Sequence, residues 1–203
     1  AMDSALNGLQ QALSRERSFT RDISHELRTP LTTLRNAIAL LPDSISADPN
    51  ARQLASSSAE IESLLETLLA LARAESSVLK PLLLRPMLES LLLDRATILE
   101  QRDFELSLEV PDEARVNGNE QLSRLLLGNL LDNALQYANP SVLSISIDER
   151  SLLLKNPLAS GEHVPHAASL GHGLFLVERL AQAQGWQFAD ETSAAHFVVR
   201  LSW

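Results

Sequence analysis

Cysteine is absent from the 203 residues, which excludes disulfides and thiolate metal centres and fits a reducing compartment. Aromatic residues make up only 4% of the chain, a composition that suits helical bundles more than stacking platforms for nucleobases. Basic residues are outnumbered, 17 Lys and Arg against 26 Asp and Glu. The resulting net charge of −9 argues against nucleic acid as a partner, because phosphate backbones are bound by clustered cations. No stretch approaches the ~18 consecutive apolar residues needed to cross a bilayer, and the first residues lack the charged and apolar regions of a signal peptide. These residues are therefore expected to be soluble. The opening Ala1-Met2 reads as an expression scar, so a membrane link is expected only through a segment upstream of it.

What is present is a leucine-rich chain with 45% hydrophobic residues, enough to bury a core in one or two domains. Leu6, Leu9, Leu13, Ile23, Leu27, Leu34 and Leu41 fall on one seam of a heptad repeat, at its a and d positions, which predicts one long helix over 3–41. Pro30 removes an amide from its ladder, and a bend is expected there. The turn formers of 42–50 lead to a second helix over 51–76, with Leu54, Ile61, Leu64, Leu65, Leu68, Leu71 and Ala72 on a broad apolar stripe. Such a hairpin covers only half of its seam. Pairing with a second copy into a four-helix bundle is the simple way to bury the rest.

Composition shifts near 76–81, which divides the chain into an expected helical domain, 1–78, and a second domain, 79–203. In the second, Pro86 opens a helix to Gln101, the alternating Phe104 to Val110 reads as a strand, and Asn119 can cap a helix from Glu120 to Ala138. Leu143, Ile145 and Ile147 alternate with polar residues and pair through Glu149-Arg150 with 151–155, a hairpin signal. Gly171 to Gln184 reads as a glycine-led helix, and 186–190 and 195–203 as closing strands, with Phe197, Val199, Leu201 and Trp203 on one face. The expected fold class is α+β: a helical-hairpin domain, then helices laid over a mostly antiparallel sheet as an α/β sandwich.

Three groups of residues invite chemistry. Counting Leu6 as heptad position a places His25 on f, the outward face, followed by Glu26 and then, after Thr29, by Pro30. A lone exposed histidine is most often simply solvated; this one has unusual company. Asn129 and Asn133 stack four apart on one helical face, with Gln136 three further on, while Leu126, Leu130 and Leu131 point the other way. Such amides can offer oxygen to a hard cation such as Mg²⁺, although on the spacing alone a merely solvated face is the commoner explanation. Gly171-His172-Gly173-Leu174 opens a helix, where free amides and the positive helix end suit phosphate. The i, i+3 pair His163 and His166 lacks a thiolate or evident carboxylate partner and reads as coincidence.

Phe19-x-x-Asp22-Ile23-Ser24-His25-Glu26-Leu27-Arg28-Thr29-Pro30-Leu31 resembles the H-box of bacterial sensor histidine kinases. The segment 126–137 resembles their N-box, and 171–177 their second glycine box, in family order. The resemblance spans nearly the whole chain and implies a dimerisation and phosphoacceptor domain followed by an ATP-binding domain of the GHKL superfamily. It implies ATP and Mg²⁺ as cofactors, Asn133 as the Mg²⁺ ligand, Asn129 facing the phosphates and Tyr137 near the adenine. Gly171, Gly173 and Leu174 would meet the phosphates.

Four departures stand out. Gln136 replaces a usual cation, and Phe175 replaces a usual glycine. Asn156 stands in for the aspartate that accepts a hydrogen bond from the adenine amino group. Nine residues between Gly161 and Gly171 leave no room for the usual long lid.

The implied function is autophosphorylation of His25 by ATP, with Glu26 taking the Nδ1 proton, then transfer to an aspartate of a cognate response regulator. Thr29 would orient water for dephosphorylating that regulator. The expected assembly is a homodimer, in the cytoplasmic portion of an inner-membrane sensor. A phosphatase-dominant kinase with weak ATP binding, and a non-catalytic dimeric interaction module, are the alternatives.

Overall fold

A computed structural model of the chain describes residues 30–34, 36–38, 40, 48–74, 78–137, 142–157, 171–193 and 196–203. Two compact units divide the chain, Ala1–Glu75 and Ser76–Trp203. Among the described residues no helix is long and apolar enough to cross a membrane.

In the first unit, 30–34 and 36–38 are helical, and helix α1 runs Pro49–Ala74. It starts two residues before the position expected from the sequence, because Asp48 and Pro49 form a cap rather than the end of a loop. The Asp48 carboxylate accepts the Asn50 amide at 2.7 Å, and Pro49 occupies the first helical position, where its missing donor costs nothing. Leu69 and Ala70 are buried, whereas Leu54, Ile61 and Leu68, each seven residues apart, stay half-exposed or more. The bend expected at Pro30 concerns residues before it, outside the described set.

The second unit begins with β1, Lys80–Leu83, paired antiparallel to β3, Arg115–Gly118. The sequence reading missed both strands, which have four residues each. Pro81 fits there because a two-stranded ribbon has free edges. Helix α2, Leu84–Leu93, buries Leu84, Met87, Leu88, Leu91 and Leu92. The single helix expected to reach Gln101 instead breaks at Asp94-Arg95, and α3 resumes over Ala96–Gln101. Arg95 leaves the ladder, and its guanidinium donates back to the Leu91 carbonyl at 2.9 Å, satisfying one of the acceptors a helix end exposes.

A five-stranded sheet follows in the order β2-β4-β5-β7-β6, comprising Glu105–Glu109, Val142–Asp148, Ser151–Pro157, His196–Ser202 and Gln187–Thr192 respectively. Only β2 and β4 run parallel. The period of two puts Leu143, Ile145, Leu152, Leu154, Phe197, Val199 and Leu201 on one buried face. Asp148, Lys155 and Arg200 lie on the exposed side. Helices α4, Glu120–Tyr137, and α5, Gly171–Gln182, pack on each other. Asn119 caps α4 as its sequence position suggests, its Oδ1 accepting the Leu122 amide at 3.0 Å.

Candidate functional site

Helix α4 presents two different faces. Leu126, Leu127, Leu130 and Leu131 are at most 1% exposed, which fixes the rotation of the helix about its axis. Asn129 and Asn133 then fall on a half-buried flank and Gln136 in solvent. Asn129 donates from Nδ2 to the Leu125 carbonyl at 2.8 Å, which orients its amide. The Asn133 Nδ2 is buried and has no hydrogen-bond partner among the described residues.

Against Asn133 stands Gly173, in the first turn of α5. A Cβ built on Gly173 would collide with Oδ1, Nδ2 and Cγ of Asn133, so the absence of a side chain at 173 is what lets the amide lie there. Two motifs separated by about forty residues of sequence thus meet, and the glycine serves packing as well as backbone access. Leu174 is half-buried beside it. Phe175, in the same turn, is 52% exposed, and the Arg179 guanidinium sits 5.6 Å from its ring centre. One residue on, the helix turns Leu176 and Val177 into the core.

Asn156 closes the inner face of β5. It is 1% exposed and opposite Phe197 in the register with β7. Its Oδ1 has no partner among the described residues, and its Nδ2 reaches only the Pro157 carbonyl, at 3.4 Å. Orphaned buried amide atoms are rare, and one at the end of a core strand is a place where a ligand's polar group fits. An acceptor there suits a donor on the ligand, and an amide oxygen suits a hard cation. The unpartnered Asn156 acceptor therefore fits an amino group of a nucleotide base, and the Asn133 side chain carries an amide oxygen of the kind Mg²⁺ takes.

Tyr137 and Gly171 are the last and first residues of α4 and α5. His25, Glu26 and Thr29 lie outside the described residues, as does 158–170, where the shortened lid is expected. Among the described residues no cluster of three or more His, Asp or Glu could hold a metal. Sequence reasoning missed the contact of Gly173 with Asn133, which no local pattern encodes. It also missed Arg95, whose guanidinium grips Asp132, the neighbour of Asn133, at 2.7 Å through two nitrogens. An arginine among the leucines of an amphipathic run was the only available signal for it.

Residues 15–77 match the family model of the His Kinase A (phospho-acceptor) domain. Over 229 residues the chain is 29% identical to the sensor protein QseC of Salmonella typhimurium, covering all of this chain and 51% of that protein. It is 34% identical over 139 residues to the sensor protein kinase PmrB of Pseudomonas aeruginosa, covering 65% of this chain and 29% of that one. The chain spans about half the length of the QseC relatives it matches. Among solved structures, the Acinetobacter baumannii histidine kinase AdeS is similar with a TM-score of 0.55 and 22% identity, over 88% of this chain and 97% of that one. Full-length ShkA in complex with AMPPNP gives a TM-score of 0.53 at 21% identity, over 91% of this chain and 46% of that one. These structural likenesses speak to the fold.

Proposed function

The chain belongs to the sensor histidine kinases of two-component systems, and from that premise we propose that it is a kinase core that phosphorylates itself on His25 at the expense of ATP. The observation that carries this reading is Asn133 lying against Gly173, in a chain whose phosphoacceptor match encloses His25. A resemblance confined to the helical half would leave the phosphate donor unexplained.

In this reading His25 Nε2 attacks the γ-phosphorus in line, the bond to the bridging oxygen breaks, and ADP leaves. Glu26 accepts the Nδ1 proton, which keeps the imidazole nucleophilic as its charge develops. The amides at Gly171, Gly173 and Leu174 offer donors to the phosphates at the start of α5, and Asn129 faces the same groups. Asn133 holds Mg²⁺, which offsets phosphate charge when bound. Tyr137 packs near the base, and the Asn156 Oδ1 accepts from the adenine amino group.

The phosphoryl group then passes to a carboxylate oxygen of an aspartate on a cognate response regulator, and Thr29 orients the water that later removes it. The uncovered stripe of Leu54, Ile61 and Leu68 on α1 supports a homodimer closed by a second copy. The domains would divide as 1–78 and 79–203, in the cytoplasmic portion of an inner-membrane sensor.

Incubation with ATP and Mg²⁺ tests the reading: acid-labile phosphate should accumulate on the wild type and be absent from His25→Gln. Failure of the wild type to bind ATP at all would sink it. A second reading, a phosphatase-biased kinase, is favoured by the uncharged, exposed Gln136 where a cation would neutralise phosphate. It predicts ATP binding with little phosphohistidine, and regulator dephosphorylation that is lost in Thr29→Ala.

A further inference from the structure

Along β5 the side chains of Leu152, Leu154 and Asn156 share the inner face of the sheet, so the strand ends in an amide where its pattern calls for another hydrophobic residue. A buried amide normally has both its donor and its acceptor engaged. Asn156 is 1% exposed, yet its Oδ1 has no partner among the described residues. Among the described residues its Nδ2 makes one contact, 3.4 Å from the adjoining Pro157 carbonyl, longer than an ordinary N–H···O bond. That long contact is all that holds one end of the amide toward the site in preference to the other among the described residues.

We infer that Asn156 reads the six-position of a purine without choosing between its two forms, so that this chain takes GTP as well as ATP. The inference rests on the reading that Asn156 meets the base of the bound nucleotide. Adenine carries an amino donor at C6, and guanine carries an oxygen acceptor there. A carboxylate has acceptors only: it serves the amino group and repels the oxygen. An amide carries both functions in the same volume. Rotation about its last side-chain torsion, which has a broad profile, exchanges Oδ1 for Nδ2 and gives up only the long Pro157 contact. With Oδ1 forward it accepts from adenine; with Nδ2 forward it donates to guanine O6. The apolar residues around it, Leu154 and Phe197, offer neither base a competing polar contact.

Equilibrium binding of ATP, GTP and purine riboside triphosphate, which has hydrogen at C6, to the whole chain with Mg²⁺ reads this directly. ATP and GTP should bind within about threefold of each other, and purine riboside triphosphate roughly three- to tenfold more weakly than either. Asn156→Asp should impose a choice, with GTP falling at least about tenfold behind ATP. A wild-type preference for ATP over GTP of about tenfold or more overturns the inference while leaving the nucleotide site standing. Absence of binding by all three overturns both. The wild-type series needs no variant, so it decides the matter even where Asn156→Asp does not fold.

Discussion

The Asn133 side chain occupies the space that a Cβ on residue 173 would need. Replacing Gly173 with alanine must push the amide aside, an overpacking cost of about 1–3 kcal/mol, offset in part by about 1 kcal/mol of helix propensity. In an Asn133→Ala background the obstacle is gone, and Gly173→Ala should become neutral or stabilising by up to about 1 kcal/mol. Urea unfolding of the four proteins checks this, and strictly additive effects would mean that the two positions do not compete. ATP titration of the same set should show Gly173→Ala alone weakening binding by roughly tenfold, as for a displaced support of a metal or phosphate ligand.

Two helices of the second unit end in the same motif with different residues at its left-handed position. After α3, the Phe104 amide bonds the Leu99 carbonyl and the Asp103 amide the Glu100 carbonyl, with Asp103 at φ 51°. After α5, Trp186 bonds Ala181 and Gly185 bonds Gln182, with Gly185 at φ 76°. Both are Schellman endings, and glycine is the residue that adopts this conformation without a Cβ clash. Asp103→Gly should therefore raise the unfolding free energy by about 1 kcal/mol, and Gly185→Ala should lower it by about the same. No atom stands within 4 Å of a Cβ at 185, so the loss there is one of backbone conformation and not of crowding. Chemical denaturation of the two variants, with opposite signs expected, is the check.

The extent to which the sequence announced this architecture follows from the range of each interaction. The leucine face of α4, the alternation of β4 and β5 and the inner row of β7 are periodic over several residues, and their burial matches that period. The Asn119 cap is a local preference and was legible too. Strands β1 and β3 were not, because four residues carry almost no periodic signal and their pairing spans the whole of α2, α3 and β2. The break at Asp94-Arg95 has no glycine or proline to mark it and arises from contacts that Arg95 makes across the fold. In the site, the amide row and the glycine motif were visible as separate segments. Their steric fit, Asn133 over Gly173, belongs to the packing of two helices and appears only in three dimensions.

Gln184 ties the end of α5 to the start of α4. Its Oε1 accepts from the Asn119 amide at 2.9 Å and from the Ser123 hydroxyl at 2.8 Å, and its Nε2 donates to the Leu180 carbonyl at 3.1 Å. It is 3% exposed and Ser123 is fully buried, so water cannot replace a lost bond. Gln184→Leu should cost about 2–4 kcal/mol, mostly from stranding donors that the amide served. Adding Ser123→Ala should recover about 1 kcal/mol, because the stranded hydroxyl is then removed together with its partner. Thermal and urea unfolding of the single and double variants would overturn this account if the second substitution added to the loss.

Arg95 joins α2 to α4 through four hydrogen bonds from one guanidinium. Nε and Nη2 each lie 2.7 Å from an Asp132 oxygen, Nη1 donates to the Leu91 carbonyl at 2.9 Å, and Nη2 also reaches the Gly128 carbonyl at 3.3 Å. The arginine side chain is 15% exposed and the aspartate 62%, so solvent screens the charge pair while the carbonyl bonds remain sheltered. The larger share of the stabilisation therefore comes from the backbone acceptors. Asp132→Asn should cost less than about 1 kcal/mol, whereas Arg95→Ala should cost about 2–3 kcal/mol. Arg95→Lys should resemble alanine more than arginine, because an ammonium cannot span acceptors on two helices with a planar fork. Added salt separates the two contributions: unfolding free energies in low and ~1 M NaCl should differ little for the wild type, since the Debye length shrinks to about 3 Å without reaching the sheltered carbonyls. A loss in Asp132→Asn equal to that in Arg95→Ala would show instead that the ion pair holds the helices. Because Asp132 precedes Asn133 on α4, loosening this clamp should also weaken ATP binding, and Arg95→Ala titrated beside Asp132→Asn would reveal whether the helix must be held for its amides to act.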